Sequence, residues 1–193
     1  MNLIVSHVIA ITFLLSFYLL IIFFIFLFTS PLIIKLLIKL NNKKPFCSIL
    51  VGRIKFWEHF ILLHLFMNTF LILFMMYYLQ SGAGIKYFGK AKKRDFENSL
   101  KNKHCIGILL AGHGDKNFWK DSKNNKIFSS NYKIKKYQII QLSCSKKGYK
   151  NFLELAENKG ISYAPKDGTN TIKNIVVALK FLFLKKYKME HQT

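Results

Sequence analysis

The sequence predicts a two-part α/β protein: an N-terminal two-helix transmembrane anchor followed by a small domain built on a parallel sheet. Three observations carry this. Residues 3–34 contain no Asp, Glu, Lys or Arg, and a second apolar run covers 60–79. Eight of the nine acidic residues follow position 94, Glu58 being the exception, so polarity divides the chain in two. Beyond residue 104, apolar runs of strand length alternate with polar and helix-like stretches, the order of βαβ units.

The first apolar run exceeds the roughly 20 residues needed to cross a bilayer and is too long for a signal-peptide core. Pro31 marks its end or a kink, and Lys35 and Lys39 share one face of the helical continuation, as snorkelling lysines at the headgroups would. The second run has Trp57 at one end and Tyr77 and Tyr78 at the other, where amphipathic rings favour the interface. His64 and Asn68 fall one turn apart within it; a weak interhelical hydrogen bond accounts for them. Two spans place the N-terminus and the C-terminal domain on the same side. Six basic residues in the intervening loop (Lys35, Lys39, Lys43, Lys44, Arg53, Lys55) stand against five after the second span (Lys86, Lys90, Lys92, Lys93, Arg94), so charge counting leaves that side open. Residues 1–80 form the anchor on this reading, 81–104 a glycine-rich linker with a short helix over 91–101, and 105–193 the α/β domain.

The net charge is +21, yet only Arg53 and Arg94 are arginine. Arginine supplies the planar fork that reads guanine edges and clamps phosphates, so no specific nucleic-acid partner is expected. A composition rich in Lys, Asn, Ile and Phe is what A/T-rich codons produce; its physical consequence is non-specific attraction to anionic headgroups or nucleic acid. Cys47, Cys105 and Cys144 are too few and too scattered for a disulfide framework. The chain lacks the repeated CxxC or HxxxH spacing of a zinc site, and the neighbours His104 and Cys105 point to opposite faces of a strand. Neither a metal nor a cofactor is expected.

The chemistry rests on two segments. Residues 106–115 (IGILLAGHGD) deliver His113 between two glycines, and residues 137–148 (YQIIQLSCSKKG) deliver Cys144 beyond a second apolar run. Both runs are near-continuous in apolar residues, as strands buried on both faces must be. In open parallel sheets, sites gather at the carboxyl ends of the strands. A thiol and an imidazole meeting there form the minimal kit for nucleophilic catalysis. A polar connection over 116–136 joins the two runs. After Cys144 the sequence predicts a helix over 149–158 closed by Gly160, a strand over 161–164, a turn over 165–168 and a final helix over 171–188. Asp115 and Asp167 suit loop and turn chemistry better than the orienting of His113.

The order of apolar strand and Gly112-His113-Gly114, polar insert, apolar strand and Ser143-Cys144, small helix, Leu155-Ala156 to Gly160, short strand and Ala164-Pro165 resembles the caspase-like cysteine peptidases. That group includes caspases, legumain, gingipains, CHAT domains and the self-processing peptidases of bacterial toxins. Among these, the toxin-associated and surface-protein variants are the nearest in pattern. The resemblance covers roughly residues 105–177. It implies His113 as base, Cys144 as nucleophile, and the N–H groups of Gly114 and Cys144 as oxyanion hole, with peptide-bond cleavage after a specific side chain as the reaction. Such folds carry one or two further strands and helices before the His strand. Counting the membrane part to residue 80 leaves little chain for them, so a truncated domain is expected, whether active, self-processing or inactive.

Two readings follow. One is a membrane-anchored cysteine peptidase whose partners are the lipid bilayer and a protein substrate, or a partner that completes the sheet. The other is a non-catalytic integral membrane protein whose α/β domain is a binding or toxin-immunity module. A basic adaptor for membrane surfaces or nucleic acid is a third reading, and the scarcity of arginine counts against it.

Overall fold

The structure, a computed structural model, describes residues 2–40, 44–53, 61–115, 118–142, 152–157 and 162–164. It is mixed α/β. Helix α1 (Asn2–Leu40) is followed by β1 (Phe46–Val51), α2 (Ile61–Gln80), β2 (Gly84–Phe88), α3 (Lys93–Lys101) and β3 (Cys105–Ala111). Three short strands, β4 (Gly114–Asp115), β5 (Phe118–Lys120) and β6 (Lys126–Phe128), precede β7 (Gln138–Leu142). The main sheet has the order β2-β1-β3-β7, every pair parallel. Beyond β7, Tyr163 forms a parallel bridge with Ile140.

The strands β1, β3 and β7 are buried along nearly their whole length, because helices cover both faces. On one face Cys47, Ile49, Val51, Ile85, Leu109, Ala111 and Ile140 pack against Phe70, Leu71, Phe74, Met75 and Tyr78 of α2. On the other, Phe46, Leu50, Ile108, Leu110 and Ile139 pack against Phe96 and Leu100 of α3 together with Trp119, Phe152 and Leu155. Phe96 makes edge contacts with the rings of both Tyr132 and Phe152, so one aromatic side chain links α3, the polar insert and the chain after β7.

This arrangement corrects the two-span reading. Helix α2 joins the adjacent parallel strands β1 and β2 and lies on the sheet. Phe70, Phe74 and Met75 are fully buried there, and the Tyr78 hydroxyl donates to Gln138 Oε1 of β7. Its apolar surface has a protein cause: the sheet covers one side, while Ile34, Leu37 and Ile38 of α1 join the same cluster. A helix apolar all round is either a span or a buried core helix, and α2 from Thr69 onward, where its side chains are described, packs as the second kind. Among the described residues, one helix is long and apolar enough to cross a membrane, His7–Leu40, by length and composition. The ground for placing both ends of the chain on the same side falls away with the second span.

The domain consequently begins at Phe46 rather than Cys105. The stretch assigned to a loop between spans supplies the central strand β1, and part of the supposed glycine-rich linker forms β2. Two strands and two helices thus precede the His113 strand. The polar connection over 116–136 also has structure. Strands β4, β5 and β6 form a small antiparallel sheet, followed by a 3-10 turn at Ser129–Asn131. The predicted helix over 149–158 is represented by a 3-10 turn at Phe152–Leu155; the turn over 165–168 and the final helix over 171–188 lie outside the described residues.

Asp121 ties the insert to α3. Its Oδ1 accepts from the N–H groups of Lys123 and Asn125, and its Oδ2 from the Asn125 amide and the Lys93 N–H in the first turn of α3. Burial pushes this carboxyl up, but the four donors outweigh it and hold its pKa below 3.8, the ordinary value. The stabilisation is therefore complete above that value and is lost as pH falls through the lower, folded-state pKa. Asp121→Ala should cost about 2–4 kcal/mol in urea unfolding of the purified protein near neutral pH. Its stability should converge on that of the parent as the pH drops below 3.8; a gap independent of pH would contradict the charged-cap account.

Candidate active site

The carboxyl edge of the sheet is where β1, β3 and β7 end, and the small antiparallel sheet docks onto it. Trp119 of β5 is fully buried, and its Nε1 donates to the Ala111 carbonyl at 3.0 Å. The same carbonyl accepts the Gly52 N–H at 2.8 Å. The chain leaving β1 is thereby pinned against the chain leaving β3.

His113 sits in this junction. Its N–H donates to the Arg53 carbonyl at 3.0 Å, and its own carbonyl accepts the Lys120 N–H at 2.9 Å. The Arg53 N–H closes the set by donating to the Lys120 carbonyl at 3.2 Å. Three backbone segments therefore hold His113, whose side chain is half-buried. Two glycines make the approach possible. Gly112 has φ +119, a conformation that a side chain rarely adopts, and a Cβ there would lie 3.1 Å from the Arg53 carbonyl oxygen. A Cβ on Gly52 would run into the Lys120 carbonyl oxygen and lie 2.8 Å from the Trp119 ring. The glycine before His113 thus turns the chain so that β3 can hand over to β4.

Gly114 pairs with Trp119 in the β4–β5 ladder. The preceding pair, His113 with Lys120, carries the hydrogen bond just described. Antiparallel pairs alternate between bonded and non-bonded types, so the Gly114 N–H is directed away from β5.

Cys144 lies outside the described residues. Its strand does not: β7 pairs with β3 in parallel register, Gly107 with Gln138 through Ala111 with Leu142. His113 follows Ala111 by two residues, and Cys144 follows Leu142 by two. The sheet brings together the strands that carry the two candidates, with their last paired residues side by side.

The other thiols have a different character. Cys47 and Cys105 are buried in the sheet. Cys105 Sγ lies 3.4 Å from Ser48 Oγ, which also accepts from the Ser99 hydroxyl at 2.9 Å. Burial pushes both thiols up, and for Cys47 the neighbouring Cys105 adds to the rise. Neither is a thiolate near neutral pH, so both act as small core residues. No group of three or more metal-ligating side chains occurs among the described residues.

Sequence reading located His113 but missed its supports, Gly52 and Arg53. A local signal existed: Pro45 and Gly52 bracket the apolar run FCSILV as turn residues bracket a strand. No family model, curated protein or solved structure matches the chain.

Gly112→Ala should lower stability by about 2–4 kcal/mol through left-handed strain and overpacking. It should also shift the His113 ring resonances in NMR spectra of the solubilised protein. A variant as stable as the parent, with unmoved resonances, would show that the junction does not hold His113.

Proposed function

We propose that this chain is a membrane-anchored, caspase-like cysteine peptidase in which His113 and Cys144 form the catalytic dyad. The supporting observation is the β3–β7 register, in which Ala111 pairs with Leu142. Two residues of chain cover at most about 7 Å, so Cys144 stays within that distance of Leu142, whose strand β7 lies next to β3, the strand that leads to His113. The backbone junction around Gly52, Gly112 and Arg53 adds the rigid support a catalytic base needs. The strands β1 and β2 supply the elements that a caspase-like domain carries before its His strand.

In this reading His113 accepts the Cys144 proton, and the thiolate attacks the peptide carbonyl carbon. The resulting oxyanion is bound by the N–H groups of Gly114 and Cys144. Collapse breaks the C–N bond, and the imidazolium returns its proton to the leaving amine. The imidazole then takes a proton from water as the hydroxyl oxygen attacks the thioester, releasing the acid and restoring the thiol. Helix α1 serves as the single span, with the N-terminus across the bilayer from the domain. No metal or organic cofactor enters this chemistry.

A thiol-reactive peptide electrophile tests the dyad. Cys144→Ala should abolish labelling, and His113→Ala should slow it by about 100-fold or more, the range expected for loss of a general base. Both variants should retain the parent's unfolding midpoint within a few degrees. Labelling that persists in Cys144→Ala, or that is indifferent to His113→Ala, would overturn the peptidase reading in favour of a non-catalytic module.

A further inference from the structure

Helix α1 does more than precede the domain. Ser30 and Ile34 are buried, and Ile34, Leu37 and Ile38 pack in the cluster that contains Phe70, Leu71, Phe74 and Met75 of α2. By contrast, large apolar residues from Val5 to Phe28 are exposed. One continuous helix therefore runs from an apolar, unburied segment into the core.

Its direction follows from two turns. Helix α2 ends at Gln80, and the Gly84 N–H that opens β2 donates to the Pro45 carbonyl just before β1, at 2.7 Å. Leu40 ends α1 five residues before that same Pro45. Both helices thus finish at the amino edge of the sheet, lie on the same face, and run back toward the carboxyl edge. From Leu40 to Ser30 the helix rises about 15 Å, close to the length of a six-residue strand at about 20 Å. Helix α1 accordingly leaves the domain at about the level of the carboxyl edge, where His113 sits. The exposed stretch beyond it, Val5 to Phe28, is about 36 Å long, which matches a hydrocarbon layer of about 30 Å.

We infer that the His113 edge of the sheet faces the bilayer, and that the site takes an extended segment of a second membrane-anchored protein, next to the point where that protein leaves the membrane. The substrate class rests on the peptidase reading; the orientation rests on helix geometry alone. The charge at this edge agrees. Arg53 beyond β1 and Lys90, Lys92 and Lys93 beyond β2 are exposed, and the Ala91 N–H bonds to the Val51 carbonyl at the end of β1. These cations face the headgroup layer, which attracts them when anionic. A folded soluble protein would meet the bilayer before it reached this edge. A membrane-anchored polypeptide presents its flank there and is confined to the same surface, which raises its effective concentration.

The full chain in phosphatidylcholine–phosphatidylglycerol vesicles provides the test. A bimane label is placed on Lys90→Cys at the carboxyl edge or on Lys103→Cys at the amino edge, with the background of the unsubstituted chain subtracted. Headgroup-linked quencher lipids should quench the first label several-fold more than the second. Equal or reversed quenching overturns the orientation. A peptide electrophile is then coupled to a lipid through a spacer of either about 10 Å or about 50 Å. The short spacer should label Cys144 at least as fast as the long one. Labelling through the long spacer alone overturns the membrane-proximal substrate. If neither tethered nor free electrophile labels Cys144 while the Lys90→Cys label is quenched, the peptidase reading and its substrate fall and the orientation stands.

Discussion

The constraint on which the carboxyl edge depends is the close passage of two chain segments, those leaving β1 and β3. Gly52 and Gly112 lie where a Cβ would strike backbone. Around them the carbonyls of Ala111, Arg53, His113 and Lys120 accept four hydrogen bonds between three segments. A buried backbone polar group without a partner costs as much as a lost hydrogen bond, so the junction forms as a unit or not at all. The Trp119 ring seals it on the side of α3. The backbone of His113 is held by this junction, which is why the glycines matter as much as the imidazole.

The parts legible in the sequence are those whose signal is local. Strand β3 falls on residues 105–111 as the apolar run predicts, β7 lies within the second run, and α3 lies within 91–101 with Phe96 and Leu100 on its buried face. The parts that were hidden depend on contacts distant in sequence. Helix α2 is indistinguishable from a span by hydropathy, because its described apolar side chains pack against both the sheet and α1. Strand β2 reads as a linker because Gly84 and Gly89 bracket only four residues at a sheet edge. Strands β4, β5 and β6 are two or three residues long, too short for any periodicity. At the site, the His113 end of β3 was legible from its flanking glycines. The role of Arg53, sixty residues away, was not, since it acts through its carbonyl and any residue type could supply that.

The treatment of the three thiols follows the same logic of position. Cys47 and Cys105 lie within strands, surrounded by apolar side chains and the hydroxyls of Ser48 and Ser99, where burial keeps the sulfur protonated. Cys144 lies outside the described residues, two positions beyond Leu142 at the end of β7. The sheet thus withdraws Cys47 and Cys105 from reactivity.

Helix α1 has one more consequence. Anchors joined to a domain by a flexible stalk can be cut, and the domain shed into solution intact. Here the exposed apolar helix passes without interruption into the core, where Ile34, Leu37 and Ile38 cover α2. A cut just beyond Ile38 would strip that cover and bare Phe70, Leu71 and Phe74 to water, whereas a cut before Ser30 would leave it in place. Any fragment that keeps the fold must therefore retain residues 30–40; the end of the long helix is part of the domain it precedes.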